Sequence, residues 1–276
     1  FYRLCGGSLG GKARGLAFAR TMIKQSGINT DFDQVTIRVP NCVVVGTDEF
    51  DLFMKDNQLW KKALQLSDNK KLERAFKKAR LSLDLMLKLE LFIKDNQYPL
   101  AVRSSSLLED SQYQPLAGTY ETIMLPNNSR SNKKRLKELI TAIKCVFAST
   151  FKGEAKSLLD NTSHRIEEEK MAVIIQEIVG QSYESNRFYP TFSGVLKSVN
   201  YYPVSYMERD EGVAYLALGF GRTIVDGEKC LTISPKYPSI LPQFYSMKST
   251  RQNSQNKFYG LALKSKLKNS KEDLSS

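Results

Sequence analysis

One stretch of this 276-residue chain gathers residue types that suit an anion, residues 100–125, LAVRSSSLLEDSQYQPLAGTYETIML. Ala101 and Val102 are strand formers that deliver Arg103 to the end of a strand. Three hydroxyls follow at Ser104, Ser105 and Ser106, then the carboxylate pair Glu109 and Asp110. A loop closing at Ala117, Gly118 and Thr119 leads into residues 120–125, which alternate and β-branch like a second strand. Arginine presents a planar fork of donors that matches phosphate oxygens. Gly118 lets backbone N–H groups approach an anion with no Cβ in the way. On these residues alone an ordinary polar hairpin reads equally well, because anion loops share the vocabulary of common turns.

A second candidate lies at the start of the chain. Gly6, Gly7, Ser8, Leu9, Gly10, Gly11 and Lys12 precede an amphipathic run with Leu16, Ala19, Met22 and Ile23 on one face, stopped at Gly27. Orphan N–H groups and the positive end of the helix dipole make such a start suitable for an anion. The spacing from Gly6 to Gly11-Lys12 approaches a Walker A loop, but Ala13 stands where Ser or Thr must ligate Mg²⁺. That excludes a P-loop NTPase. A helix start with a solvated lysine is the plainer alternative.

The elements that must carry these groups follow from patterning. Residues 35–39 and 42–45 read as short strands about Pro40, and Thr47 as the cap of a helix with Phe50, Phe53 and Met54 inward. Between residues 69 and 94 apolar side chains recur at Leu72, Phe76, Ala79, Leu83, Met86, Leu87 and Leu91, which predicts one long helix. After a polar turn at 127–132, a further helix carries Leu136, Ile140, Ile143, Val146 and Phe147 inward. Residues 152–170 read as a polar connection holding His164, the single histidine, in surroundings with no catalytic partner. Residues 171–179 form an apolar strand that ends in Gln176 and Glu177. Residues 192–199 and 213–218 read as strands of a second sheet.

Composition bounds the rest. Hydrophobic residues at 41% and charged residues at 25% are ordinary for a globular protein. No apolar run reaches the ~20 residues that span a bilayer, and the N-terminus lacks the pattern of a signal peptide. The absence of an initiator Met leads us to expect a segment of a longer protein. Cys5, Cys42, Cys145 and Cys230 are scattered, which predicts free thiols in a reducing cytoplasm. The net charge of +12 could address nucleic acid, but no reader motif accompanies it. It can equally be solvated helix faces, so nucleic acid and membrane are not expected partners.

Taken together, VRSSSLLEDSQYQPLAGTYET resembles the signature of the N-terminal nucleotide-binding domain of phosphoenolpyruvate synthase and pyruvate phosphate dikinase. Three further matches follow family order: GGKARGL at residues 10–16, MAVIIQEIV at 171–179, and FSGVL with LALGFGRTIVDG between 192 and 227. The resemblance spans residues 10–238. It implies an α+β fold similar to ATP-grasp proteins, two lobes with an ATP cleft between them. It divides the chain into a first lobe at 1–165, a second at 166–247 and a basic segment at 248–276 leading to absent domains.

The resemblance implies ATP and Mg²⁺ as cofactors and Lys12 and Arg103 as phosphate ligands with a catalytic role in positioning and charge neutralisation. Ser104, Gly118 and Thr119 complete the phosphate loop, and Gln176, Glu177, Ile178 and Val179 form an adenine hinge through backbone groups. In the family, ATP phosphorylates a histidine on a swivelling domain, AMP is released, and a barrel domain passes the phosphoryl group to pyruvate. Those phosphohistidine and pyruvate-binding domains are the implied partners. Two departures stand out. Arg222 replaces a family glutamate, and no acidic D-x-E strand follows Pro242, so the metal ligands are not identified and this chain alone is expected to be catalytically incomplete. A nucleotide-sensing pseudoenzyme module is the alternative reading, and a basic nucleic-acid-binding domain a weaker one.

Overall fold

The computed structural model describes residues 1–106, 120–159, 169–204 and 207–263. The chain divides into two compact units, Phe1–Ile178 and Val179–Ser276. Helices and sheets alternate in both, a mixed α+β composition.

The first unit is built on a five-stranded sheet. Its strands are β1 (Tyr2–Arg3), β2 (Cys42–Val45), β3 (Leu100–Ser106), β4 (Thr122–Leu125) and β5 (Met171–Glu177), in the order β1-β2-β5-β3-β4. β1 runs parallel to β2, and every other neighbour pair is antiparallel. β5 is nearly continuous apolar sequence because both its edges and both its faces are covered. Strand alternation sends Val43, Val45, Leu100, Val102, Val173 and Ile175 to one face and Cys42, Val44, Ala172 and Ile174 to the other.

The first face meets the main core, formed with α2 (Thr47–Asp56), α3 (Trp60–Gln65), α4 (Asn69–Lys78), α5 (Leu83–Asp95), α6 (Asn132–Ser149) and α7 (Gly153–Leu159). Phe50, Phe53, Phe76, Phe147 and Phe151 fill it, with Phe50 edge-on to Phe147 at 5.2 Å between ring centroids. α1 (Gly10–Ser26) covers the second face through Ala13 and Leu16.

Four expectations change here. The helix predicted over 69–94 is two helices, α4 and α5. Ser82 begins the second by accepting from the Leu85 N–H at 3.2 Å, and Glu49 accepts from both the Ser82 N–H and its hydroxyl. The break resets the helical phase, so Leu85, Leu89 and Ile93 are buried while Leu83, Leu87 and Leu91 face solvent. Residues 35–39 form no strand, because the Asn29 side chain takes both the N–H and the carbonyl of Ile37. Thr47 is inside α2 and does not cap it; its hydroxyl accepts instead from the Ser8 N–H at 2.9 Å. The three serines after Arg103 belong to β3 and are fully buried, not loop residues.

In the second unit β6 (Gln181–Tyr183), β7 (Arg187–Tyr189) and β11 (Leu261–Ala262) make one antiparallel sheet, in the order β11-β7-β6. β8 (Phe192–Lys197), β9 (Val213–Leu218) and β10 (Leu231–Ile233) make another, which bears out strands near 192–199 and 213–218. α8 (Arg222–Val225) and α9 (Met247–Asn253) complete the unit. Gly219 adopts a positive φ of 72° where a Cβ would lie 2.6 Å from the Tyr259 carbonyl oxygen, so this corner needs glycine to let the two backbones meet.

Candidate nucleotide-phosphate site

The N-terminus of α1 is fixed to the end of β3 by one hydroxyl. Ser105 Oγ donates to the Leu9 carbonyl at 2.8 Å and accepts from the Ala13 N–H at 3.1 Å. Leu9, at the cap position, has no side-chain acceptor, so a serine from another element does the capping. Close approach is possible because residue 10 is glycine. A Cβ there would stand 1.9 Å from the Ser105 carbonyl oxygen, and φ is +73°. Ser8 Oγ accepts the Gly10 N–H at 3.3 Å.

This docking sets Lys12, in the first turn of a 17-residue helix, beside β3. Its Nζ donates to Ser104 Oγ at 3.4 Å. The contact falls where β4 has stopped pairing, since the β3–β4 ladder ends at Arg103–Thr122. Arg103 lies on the face of β3 that carries α1, by alternation with Val102. It donates from Nη1 to Gln176 Oε1 at 3.0 Å, across to β5. Lys12, Arg103, Ser104 and Gln176 therefore sit on adjacent elements of one unit, although 92 positions separate Lys12 from Ser104. Gly118 and Thr119, with Glu109 and Asp110, lie outside the described residues, as does His164.

The end of β5 is tied down in a way that sequence reasoning missed. Glu177 receives Arg38 in a two-pronged ion pair, 3.0 Å on each oxygen, and accepts the Asn41 N–H at 3.1 Å. Bonding to Arg38 is the main reason its carboxyl is held below the ordinary glutamate range, and it outweighs burial. The Glu177 N–H donates to the Asn41 carbonyl at 2.8 Å and the Ile178 N–H to the Pro99 carbonyl at 2.9 Å. Two of the four residues expected to form the adenine hinge, Glu177 and Ile178, thus have their amides engaged by the backbone flanking β2 and β3, and Val179 begins the second unit. A signal for Arg38 exists only as a charged residue just before Pro40, too weak to single it out.

Arg222, the charge-reversing departure, is held by its own surroundings. Its Nε donates to Asp226 Oδ2 at 2.9 Å, and its guanidinium lies 5.0 Å from the centre of the Tyr259 ring. Among the described residues no three His, Cys, Asp or Glu side chains gather to hold a metal ion. The described residues alone do not make a Mg²⁺ site.

A glycine-lined helix start, a lysine in its first turn and an arginine on the neighbouring strand are residue types that suit a phosphate group. Residues 7–271 match the family described as pyruvate phosphate dikinase, AMP/ATP-binding domain, and the chain belongs to that family. It is also 28% identical over 192 residues to the uncharacterized phosphotransferase YvkC of Bacillus subtilis (strain 168). That alignment covers 68% of this chain and 20% of YvkC, so the chain spans about a fifth of that relative's length.

Proposed function

We propose that this chain is the ATP-binding domain of a phosphoenolpyruvate synthase-like phosphotransferase, which uses ATP to phosphorylate a carrier histidine on a separate domain and releases AMP. The observation that carries the reading is the meeting of the Lys12 ammonium and Ser104 hydroxyl, 3.4 Å apart, at the N-terminus of α1. Two cations and a helix N-terminus together can balance the charge of a triphosphate. Phosphoryl transfer asks for little covalent chemistry from the protein beyond that neutralisation and an in-line arrangement.

In this reading Lys12 and Arg103 hold the phosphates, with Ser104 in β3 receiving Lys12 and Gly118 and Thr119 completing the loop. Gln176, by receiving Arg103, keeps the guanidinium presented. The adenine edge is met near Gln176, Glu177, Ile178 and Val179, through carbonyls and the Val179 backbone, since the Glu177 and Ile178 N–H groups donate elsewhere. The fold is ATP-grasp-like, two lobes with ATP between them, at 1–165 and 166–247 and followed by the segment 248–276. Phosphohistidine and pyruvate-binding domains are the partners, Mg²⁺ accompanies the nucleotide, and the protein works in the cytoplasm. No described helix is long and apolar enough to cross a membrane.

Calorimetry of ATP, AMP and adenosine against wild type, Lys12→Ala and Arg103→Ala tests the assignment. Each substitution removes a charge-assisted contact and should weaken ATP by about tenfold to a hundredfold, ~1.5–3 kcal/mol. Adenosine should bind equally to all three folded proteins. Equal ATP affinity throughout would refute the phosphate assignment, and a parallel loss for adenosine would point to a disturbed fold.

A further inference from the structure

The positive charge of this chain is not spread evenly. α4 and α6 each carry five basic residues and one acidic residue, so 28 residues hold +8 of the chain's +12. They lie side by side and antiparallel. Lys144, late in α6, donates to the Lys77 carbonyl at the end of α4 at 3.3 Å, and Lys152, just past α6, reaches Glu73 at 3.2 Å, a turn earlier in α4. Lys70, Arg74 and Lys78 follow one another a turn apart on the exposed side of α4. Lys133, Lys134 and Lys137 are exposed on α6, while Arg135 is buried and Lys144 turns toward α4.

The two acidic residues do little to quench this. Glu73 is 14% exposed and held between Lys77 and Lys152, while Glu138 stands 4.0 Å from Lys134. Like charges at i and i+4 repel along a helix, and the axes of packed helices lie about 8–10 Å apart. Such a surface is relieved by an extended anion with charges repeating in rows.

We propose that the outer face of α4 and α6 docks the phosphate backbone of nucleic acid, without regard to base sequence. Neither helix exposes a large apolar side chain. Protein interfaces carry an apolar centre, and membrane-surface helices insert an apolar face. This face has neither, and it carries no aromatic platform for reading bases. The inference stands apart from the nucleotide reading, because none of these residues belongs to the candidate phosphate site.

Fluorescence anisotropy of a labelled 20-base-pair duplex of mixed sequence, at several salt concentrations, tests it. Six phosphate contacts predict a slope of log affinity against log salt of about −5. The triple variant Arg74→Ala, Lys78→Ala, Lys137→Ala should flatten that slope by about 3 and weaken binding at least tenfold at low salt. Lys229→Ala, Lys248→Ala, Arg251→Ala, with the same loss of charge in the second unit, should leave it nearly unchanged. Single Gln replacements, each flattening the slope by about 1, give the same answer if the triple variant fails to fold. No duplex binding, or equal losses in the two triples, would overturn the proposal. Competition by polyglutamate as effective as by unlabelled duplex would overturn it in favour of an acidic protein partner.

Discussion

Replacing Ser105 by Ala should loosen α1 from the sheet. The hydroxyl serves two backbone groups, the part-buried Leu9 carbonyl at 2.8 Å and the buried Ala13 N–H at 3.1 Å, and both Ser105 and Ala13 are wholly buried. Water cannot replace it at the Ala13 N–H, so that orphaned group costs ~1–3 kcal/mol, and the part-buried Leu9 carbonyl adds a smaller loss. The expected loss is about 2–3 kcal/mol. For a chain of this size that is about 4–10 °C in melting temperature. The assay is urea denaturation of wild type, Ser105→Ala and Thr141→Ala, with amide hydrogen exchange at residues 10–16. Thr141 is the control because its hydroxyl merely returns to the Lys137 carbonyl of its own helix at 2.7 Å. That substitution should stay within about 0.5 kcal/mol. Ser105→Ala matching the control in stability, with protection at Ala13 intact, would show that α1 is held by apolar packing and not by this hydroxyl.

Three further outcomes are expected. Lys152 bridges Glu73 and Glu121, and although burial works against its charge, those bonds raise its pKa; Lys152→Ala strands both carboxylates and should cost on the order of 2–4 kcal/mol by chemical denaturation. Glu177 has a folded pKa below its unfolded value, so its pairing stabilises the fold above about pH 4.5 and is lost as pH falls through the folded value. Arg38→Ala should therefore shrink the stability difference between pH 6 and pH 3, by less than ~1 kcal/mol because Arg38 is half exposed; an unchanged acid limb would contradict this. All four cysteines are free, and burial pushes the Cys145 thiol up to about 12. Thiol titration should count four per unfolded chain, with Cys145 unreactive in the native protein at pH 8.

The α+β character and several strands of each unit were legible because apolar patterning is local, whereas the short strands β1, β6, β7 and β11 were not. β2, β3, β8 and β9 fall where alternation or apolar runs predict them. The division between α4 and α5 was not, because the apolar spacing runs on through Ala79 and Leu83 as if the helix continued. What stops it is Glu49, 33 positions away, holding Ser82. Lys12 and Arg103 could be named from their loops and from the family resemblance. Their neighbours Ser104 and Gln176 could be named only as parts of motifs, since contacts 92 and 73 positions apart leave no mark on periodicity. Ser105 escaped notice for a different reason. In a run of three serines nothing local tells which one turns toward α1; only the strand's alternation, known once β3 is placed, decides it.

β5 sits between β2 and β3, yet it is the last of the five strands in the chain. Until residues 171–177 emerge from the ribosome, β1-β2 and β3-β4 are two separate ribbons with raw edges, each waiting for the same missing partner. Nearly the whole first unit must be synthesised before its sheet can close, with pairings on one side that span from 128 positions at Val45–Val173 to 134 at Cys42–Gln176. Closure at such separation is slow. During translation the nascent unit therefore stays open to mispairing for longer than its size alone would suggest, and a truncation anywhere before residue 171 leaves a product that lacks the strand joining its two halves.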